Sequence, residues 1–358
     1  MLLRPSNLTS DAAEMTENEV EAIRDRYIAT LSPLFFPEDA VSHDIIRYFA
    51  SLLRIVGMED GGWDPHLESR ALLEDLNSFM QLELPEARFP DAGSTAWRLG
   101  LLFYSHIVEM DAPYEVLANL LRFRLGKGYR PNPFLMLLTD KERKAKGNRR
   151  LSPKRKIEFL RQLGAEAGVP VAALFDEFYD GELRNAIAHS DFILTDESFR
   201  SRGGPGGFRA FSLPLARVNE VITKAKVFVG TFLGLDVEAR RFWGTQTGRG
   251  IPYDATYKGL MEMLVDGEGL LCGFKVHWPN NSESVYRRTA DRVEMTNCML
   301  DLKNATVDLF VGLYARHPGP FSPLVEIGQA PVYTPLESSG ERPHWQDFSS
   351  PPSGTTRV

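Results

Sequence analysis

The stretch 182-ELRNAIAHSDF-192 sets an arginine, an asparagine beside it and a histidine five places on among small apolar residues. On a helix turning about 100° per residue, Leu183, Ala186, Ile187 and Ser190 share a narrow face suited to a core, while Glu182, Asn185 and His189 gather on another. Asn185 and His189 are four apart and are surface neighbours. Arg184 stands about 140° from His189 on an ideal helix. The two can meet through a break in the helix, through the reach of the arginine, or across a symmetric pair of helices. Spacing alone leaves an ordinary solvated helix face as the competing explanation.

Working outward, Asp180 is placed to cap the N-terminus of this short helix. A helix is expected over 170–179, and before it one over 153–167, opened by Ser152-Pro153. After His189, the runs DFILTDESFRSR and FRAFSL flank a Gly-Pro turn and predict a hairpin over 191–212, followed by an amphipathic helix over about 213–235. Toward the N-terminus, TENE at 16–19 spells a capping box. Helical patterns follow at about 38–57, 65–83, 94–110 and 113–126, the first burying Ile45, Phe49, Leu52, Leu53 and Val56 along one stripe. Beyond 250 the pattern predicts one helix near 256–265 and then a short antiparallel meander.

The expected organisation is a disordered segment at 1–14, an N-terminal helical region at 15–93, a helical domain at 94–247, a small α+β domain at 248–330 and a Pro/Ser-rich tail at 331–358. The fold class is mainly α.

RNAIAHS, with its neighbours SPKRKIEFLRQLGAEAG and PVAALFDEFYD, resembles the HEPN superfamily (higher eukaryotes and prokaryotes nucleotide-binding). Its signature is an arginine, a polar residue that is often asparagine, and a histidine a few places on. The likeness spans about 94–235 and is sharp over about 15 residues. It implies a helical bundle carrying the hairpin as an insertion. It also implies a metal-independent endoribonuclease of a bacterial defence, abortive-infection or toxin–antitoxin system, with Arg184 and His189 catalytic and Asn185 supporting them. The same resemblance allows a second function: a non-catalytic scaffold that binds RNA, a nucleotide or a protein partner. An antitoxin or other regulatory protein is an expected partner, and the paired motifs of the family imply a homodimer with its motif helices facing each other. No cofactor and no metal are expected.

The residue types suit that chemistry. Without a metal, RNA is cut by its own 2′-hydroxyl, giving a 2′,3′-cyclic phosphate and a 5′-hydroxyl. An imidazole, with an ordinary pKa of about 6.5, can take up or deliver the protons. A guanidinium offers paired donors to the phosphate as charge builds on it. Glu182 could fix an imidazole tautomer, although an acid in a first helical turn is also favoured by the helix dipole.

Net charge is −7, yet 122–156 carries 13 Lys/Arg against Asp140 and Glu142. That basic loop could follow an RNA backbone, through Arg143, Lys144, Lys146, Arg149, Arg150, Lys154 and Arg155. Phe123, Tyr129 and Phe134, interleaved with the charges, either stack on bases or anchor the loop to the core. Two cysteines, Cys272 and Cys298, are too few for a disulfide framework or a zinc cage and read as buried thiols. No secretory leader and no membrane-spanning run is legible, so a cytoplasmic location is expected. His106 reads as a satisfied core residue, and His277 as lying where a metal would lack ligands. Walker, HExxH and GxSxG motifs are absent.

Overall fold

The computed structural model describes residues 15–37, 45–54, 65–82, 85, 88, 91–139, 141, 151–202, 210–253, 259–278, 283–288, 293–301, 306–309 and 334–335. The fold is mainly helical with antiparallel sheets. Its two compact units interleave along the chain: one is Met1–Ser32, Asp64–Tyr114 and Leu137–Leu235, the other Pro33–Trp63, Glu115–Met136 and Asp236–Val358. Boundaries at 93/94 and 247/248 are therefore replaced by a partition in which single helices serve both units. The segments 1–14, 38–44 and 55–64, with Val56, lie outside the described residues.

In the first unit, α1 (Glu17–Phe35) begins at the expected capping box. The Thr16 backbone N–H reaches Glu19 Oε2 at 2.8 Å, and the Glu19 N–H reaches Thr16 Oγ1 at 3.3 Å. Helices α3 (Pro65–Phe79), α4 (Ala92–Glu109), α6 (Pro153–Ala167), α7 (Val171–Asp176) and α8 (Gly181–Ala188) fall where their patterns predict. The last long helix, α9 (Leu215–Gly244), runs nine residues beyond the expected end at 235 and supplies its first part to this unit.

The first unit's core is aromatic. Phe228 on α9 sits 4.6 Å from Phe175, 5.1 Å from Phe178 and 6.3 Å from Tyr27, ring centre to ring centre. Tyr114 stacks on Phe175 at 4.8 Å. These rings bury large apolar areas in offset and edge-on geometries. At the rim, Arg26 and the Tyr27 hydroxyl both bond Glu177, and Arg161 grips Asp176 with two bonds of 2.8 Å. The α7 segment that leads into α8 is thus held from both sides.

The hairpin proves to be three strands, β1 (Phe192–Leu194), β2 (Ser198–Ser201) and β3 (Phe211–Pro214), in antiparallel order. DFILTDESFRSR folds back on itself through Thr195, whose hydroxyl bonds Ser198. Phe192, Phe199 and Phe211 stack in line across the sheet, with Phe199 fully buried. The Gly-Pro turn at 203–209 lies outside the described residues.

The second unit contains α2 (Ile45–Leu53), the end of α5 (Asp111–Arg124), the end of α9 and a six-stranded antiparallel sheet. Ile45, Phe49, Leu52 and Leu53 are buried as expected. The Trp243 indole donates to the Tyr48 hydroxyl at 3.2 Å, and Tyr48 in turn bonds the Phe35 carbonyl. The sheet order is β11-β4-β5-β6-β7-β8, with β4 Arg249–Tyr253, β5 Gly259–Val265, β6 Leu271–His277, β7 Glu283–Arg288, β8 Val293–Thr296 and β11 Thr334–Pro335. Strands β9 (Cys298–Asp301) and β10 (Thr306–Leu309) pair separately.

Three expectations are corrected here. The helix near 256–265 is strand β5: in GLMEMLV, Met261 and Met263 are buried and Glu262 faces outward, the period-two pattern of a strand. Gly259 tolerates this packing because a Cβ there would lie 2.6 Å from Val276 and 2.7 Å from Trp278. The described part of 248–330 contains strands only, and the helices of that unit come from elsewhere in the chain. Within the expected tail, Thr334 and Pro335 pair with Gly250 and Arg249.

On the half-buried face of this sheet, His277 Nε2 lies 2.9 Å from Glu262 Oε2, and its Nδ1 lies 3.3 Å from Glu283 Oε1. The second approach has ion-pair distance without hydrogen-bond alignment. The His277 bond, helped by the charges of His277 and Lys275, holds the Glu262 carboxyl below the ordinary glutamate range. A depressed carboxyl stabilises the fold above its unfolded-state pKa and loses that contribution as pH falls through the folded value. Between pH 5 and pH 3, wild-type protein should therefore lose about 1 kcal/mol more stability than Glu262→Gln, read as urea midpoints at each pH. Equal losses would remove this role from Glu262.

Candidate functional site

Helix α8 is built locally for its position. Asp180 caps it, its Oδ1 accepting from Glu182 N–H at 3.0 Å and Leu183 N–H at 2.9 Å. Tyr104 of α4 fixes the approach: its hydroxyl donates to the Phe178 carbonyl and accepts from the Asp180 N–H, both at 3.0 Å. Leu183, Ala186 and Ile187 are buried, as the helical wheel predicts. Glu182 is an exposed first-turn acid at the positive end of the helix dipole.

Arg184 is held from two directions. Its Nε donates to Glu109 Oε1, at the end of α4, and its Nη1 donates to Asn185 Oδ1 at 2.8 Å. The Glu109 bond raises the guanidinium pKa further above its ordinary value. Asn185, expected to support the catalytic pair, spends its carbonyl oxygen on Arg184. Its place in the site is beside the arginine.

His189 stands at the other end. The helix stops at Ala188, and His189 is the C-cap residue, with φ −94° and ψ 1°. It is exposed. The next residue, Ser190, adopts φ 53°, and the turn closes by Asp191 N–H to the Ala186 carbonyl and Ser190 N–H to the Ile187 carbonyl. This is a Schellman ending with serine where glycine is usual. His189 still donates its backbone N–H to the Asn185 carbonyl at 3.0 Å, so it ends the helical path and the chain departs at Ser190. Ser190→Gly should stabilise the protein by about 0.5–1 kcal/mol, because a left-handed serine carries a Cβ penalty that glycine lacks. Thermal or urea unfolding checks this, and a destabilised variant would contradict it.

Of the expected RNA-contacting residues, Arg143, Lys144, Lys146, Arg149 and Arg150 lie outside the described residues. Lys154 is exposed in the first turn of α6. Burial, ahead of the nearby charges, pushes the Tyr179 hydroxyl pKa up. Arg155 is diverted, since its Nη2 bonds the Leu137 carbonyl at 2.9 Å. Lys156 is buried against Asp111, and Arg122 is buried with Nε and Nη2 on the Gly128 carbonyl. The basic segment is thus less available than its charge count implies. Tyr129 and Phe134 are buried and Phe123 packs 5.6 Å from Tyr48, so these rings anchor the chain. Base stacking is excluded for Tyr129 and Phe134.

No family model, characterised protein or solved structure matches this chain.

Sequence reasoning missed Glu109 and Tyr104. One signal was available: Glu109 ends α4 at the negative end of the helix dipole, where a carboxylate is disfavoured without a cation beside it. Elsewhere, His106 Nε2 is satisfied by the Ser69 carbonyl at 3.1 Å, and Cys272 is buried with its thiol pKa pushed up by that burial. The Cys298 side chain, His43, His317 and His344 lie outside the described residues. Among the described residues no helix is long and apolar enough to cross a membrane, and no group of three or more His, Cys, Asp or Glu converges as metal ligands would.

Proposed function

We propose that this chain is a HEPN-type endoribonuclease that cuts RNA without a metal, acting in the cytoplasm as a homodimer within a bacterial defence or toxin–antitoxin system. The observation that carries this reading is one short helix bearing both groups the reaction uses. Arg184 is fixed by Glu109 and Asn185 near its start, and His189 is exposed just past its end. The RNA 2′-oxygen attacks the adjacent phosphorus as its proton is removed. The P–O5′ bond breaks and the 5′-oxygen receives a proton, leaving a 2′,3′-cyclic phosphate and a 5′-hydroxyl. Arg184 meets the charge that accumulates on the non-bridging oxygens. His189 moves one proton, and His189 of a second copy moves the other. Lys154, exposed in the first turn of α6, extends the site along the RNA backbone.

The test is incubation of RNA with the protein in EDTA, beside Arg184→Ala. Cleavage by wild type that falls about 10²–10³-fold in the variant supports the enzyme. RNA binding without cleavage under any condition supports the scaffold function instead.

A further inference from the structure

Glu109 is the last residue of α4, and its carboxylate accepts from Arg184 Nε. Arg184 also spends an Nη1 proton on Asn185. A guanidinium has five N–H donors in one plane. Two anchors on different elements, one on Nε and one on Nη1, fix that plane while leaving both Nη2 protons and the second Nη1 proton uncommitted by these bonds. The side chain stays accessible, at 25% exposure. This is the arrangement a phosphate-binding arginine needs, because paired donors reward an oxyanion only when their direction is set beforehand. The ion pair itself is too exposed to count for much in stability, with the Glu109 side chain 41% exposed. Its position at the unfavourable end of the α4 dipole points the same way, toward a role at the site.

We propose that Glu109 is a positioning residue which, through Arg184, sets the donors that meet the scissile phosphate. The inference rests on the ribonuclease reading above. Orientation matters most when charge is greatest, so the effect belongs in turnover rather than in substrate binding. The hydrogen bond needs an acceptor on residue 109 and no charge, so glutamine serves nearly as well as glutamate.

Steady-state cleavage of a short synthetic RNA in EDTA tests this with wild type, Glu109→Ala and Glu109→Gln. Glu109→Ala should lower kcat about 10–100-fold, with KM changed less than about threefold. Glu109→Gln should stay within about threefold of wild type in both constants. Adding Glu109→Ala to Arg184→Ala should cost nothing further, since the residues act as one unit. Melting temperatures of the single variants should match wild type within a few degrees. A Glu109→Ala enzyme with normal kcat, or one whose KM falls because a competing carboxylate is gone, overturns the proposal while leaving the ribonuclease intact. Wild-type protein that leaves RNA uncut overturns both.

Discussion

Replacing His189 with alanine should reduce RNA cleavage in EDTA about 10³-fold, the range over which a positioned proton-transfer group acts. The exposed C-cap position makes this a clean experiment. His189 is exposed at the C-cap of α8, outside the core. Far-UV circular dichroism and the unfolding midpoint should match wild type. His106→Gln is the matched control, because that ring already bonds the Ser69 carbonyl, and activity should stay within about threefold of wild type. Mixing wild type with excess His189→Ala should lower the activity per wild-type chain, since a mixed dimer holds one histidine where the reaction uses two. Cleavage by His189→Ala within about tenfold of wild type would remove the histidine from the chemistry.

The largest effect on stability should come from Phe228→Ala, with a loss of about 3–5 kcal/mol. Phe228 is 1% exposed and touches Tyr27, Phe175 and Phe178, which lie on α1, on α7 and just after it. Truncation leaves a cavity bordered by three aromatic rings that cannot collapse together. The damage should also reach the site, because the Phe178 carbonyl receives the Tyr104 hydroxyl that sets the approach to α8. Urea unfolding measures the loss. Phe79→Ala, 56% exposed on α3, should change stability by less than about 0.5 kcal/mol. A Phe228→Ala loss below about 1 kcal/mol would mean that the aromatic cluster is not the first unit's core.

What was legible in the sequence was mostly local. Thr16 and Glu19 close a capping box across three residues, and Ser152-Pro153 and Asp180 mark helix starts by chemistry that acts within one turn. The buried face of α8 followed from Leu183, Ala186 and Ile187 because a helix repeats its faces at fixed spacing. Features set by distant partners were not legible. Strand β5 is held by β4 and β6, through Ile251↔Met261 and Met261↔Val276, so the short apolar run GLMEMLV passed for a helix until its neighbours were known. The interleaved units depend on which helix packs where, which no linear reading of composition shows. Arg184 and Glu109 are 75 residues apart, and their meeting follows from α4 lying beside α8. The same holds for the basic segment, where Arg155 and Lys156 carry charges that bonds to Leu137 and Asp111 already engage.

Charge and hydrogen bonding around α8 now divide its polar residues by task. Asp180 caps, Glu182 complements the helix dipole, Asn185 and Glu109 hold Arg184, and His189 stands exposed at the C-cap.

The most direct measurement is the chemistry of the cut ends. A synthetic RNA is incubated with the protein in EDTA and compared with the same strand carrying one 2′-deoxynucleotide at the mapped cleavage site. The first strand should carry 2′,3′-cyclic phosphate and 5′-hydroxyl ends, and the second should show no cut at that site. Cleavage of the deoxy strand at the same position, or 5′-phosphate ends on either, would contradict it.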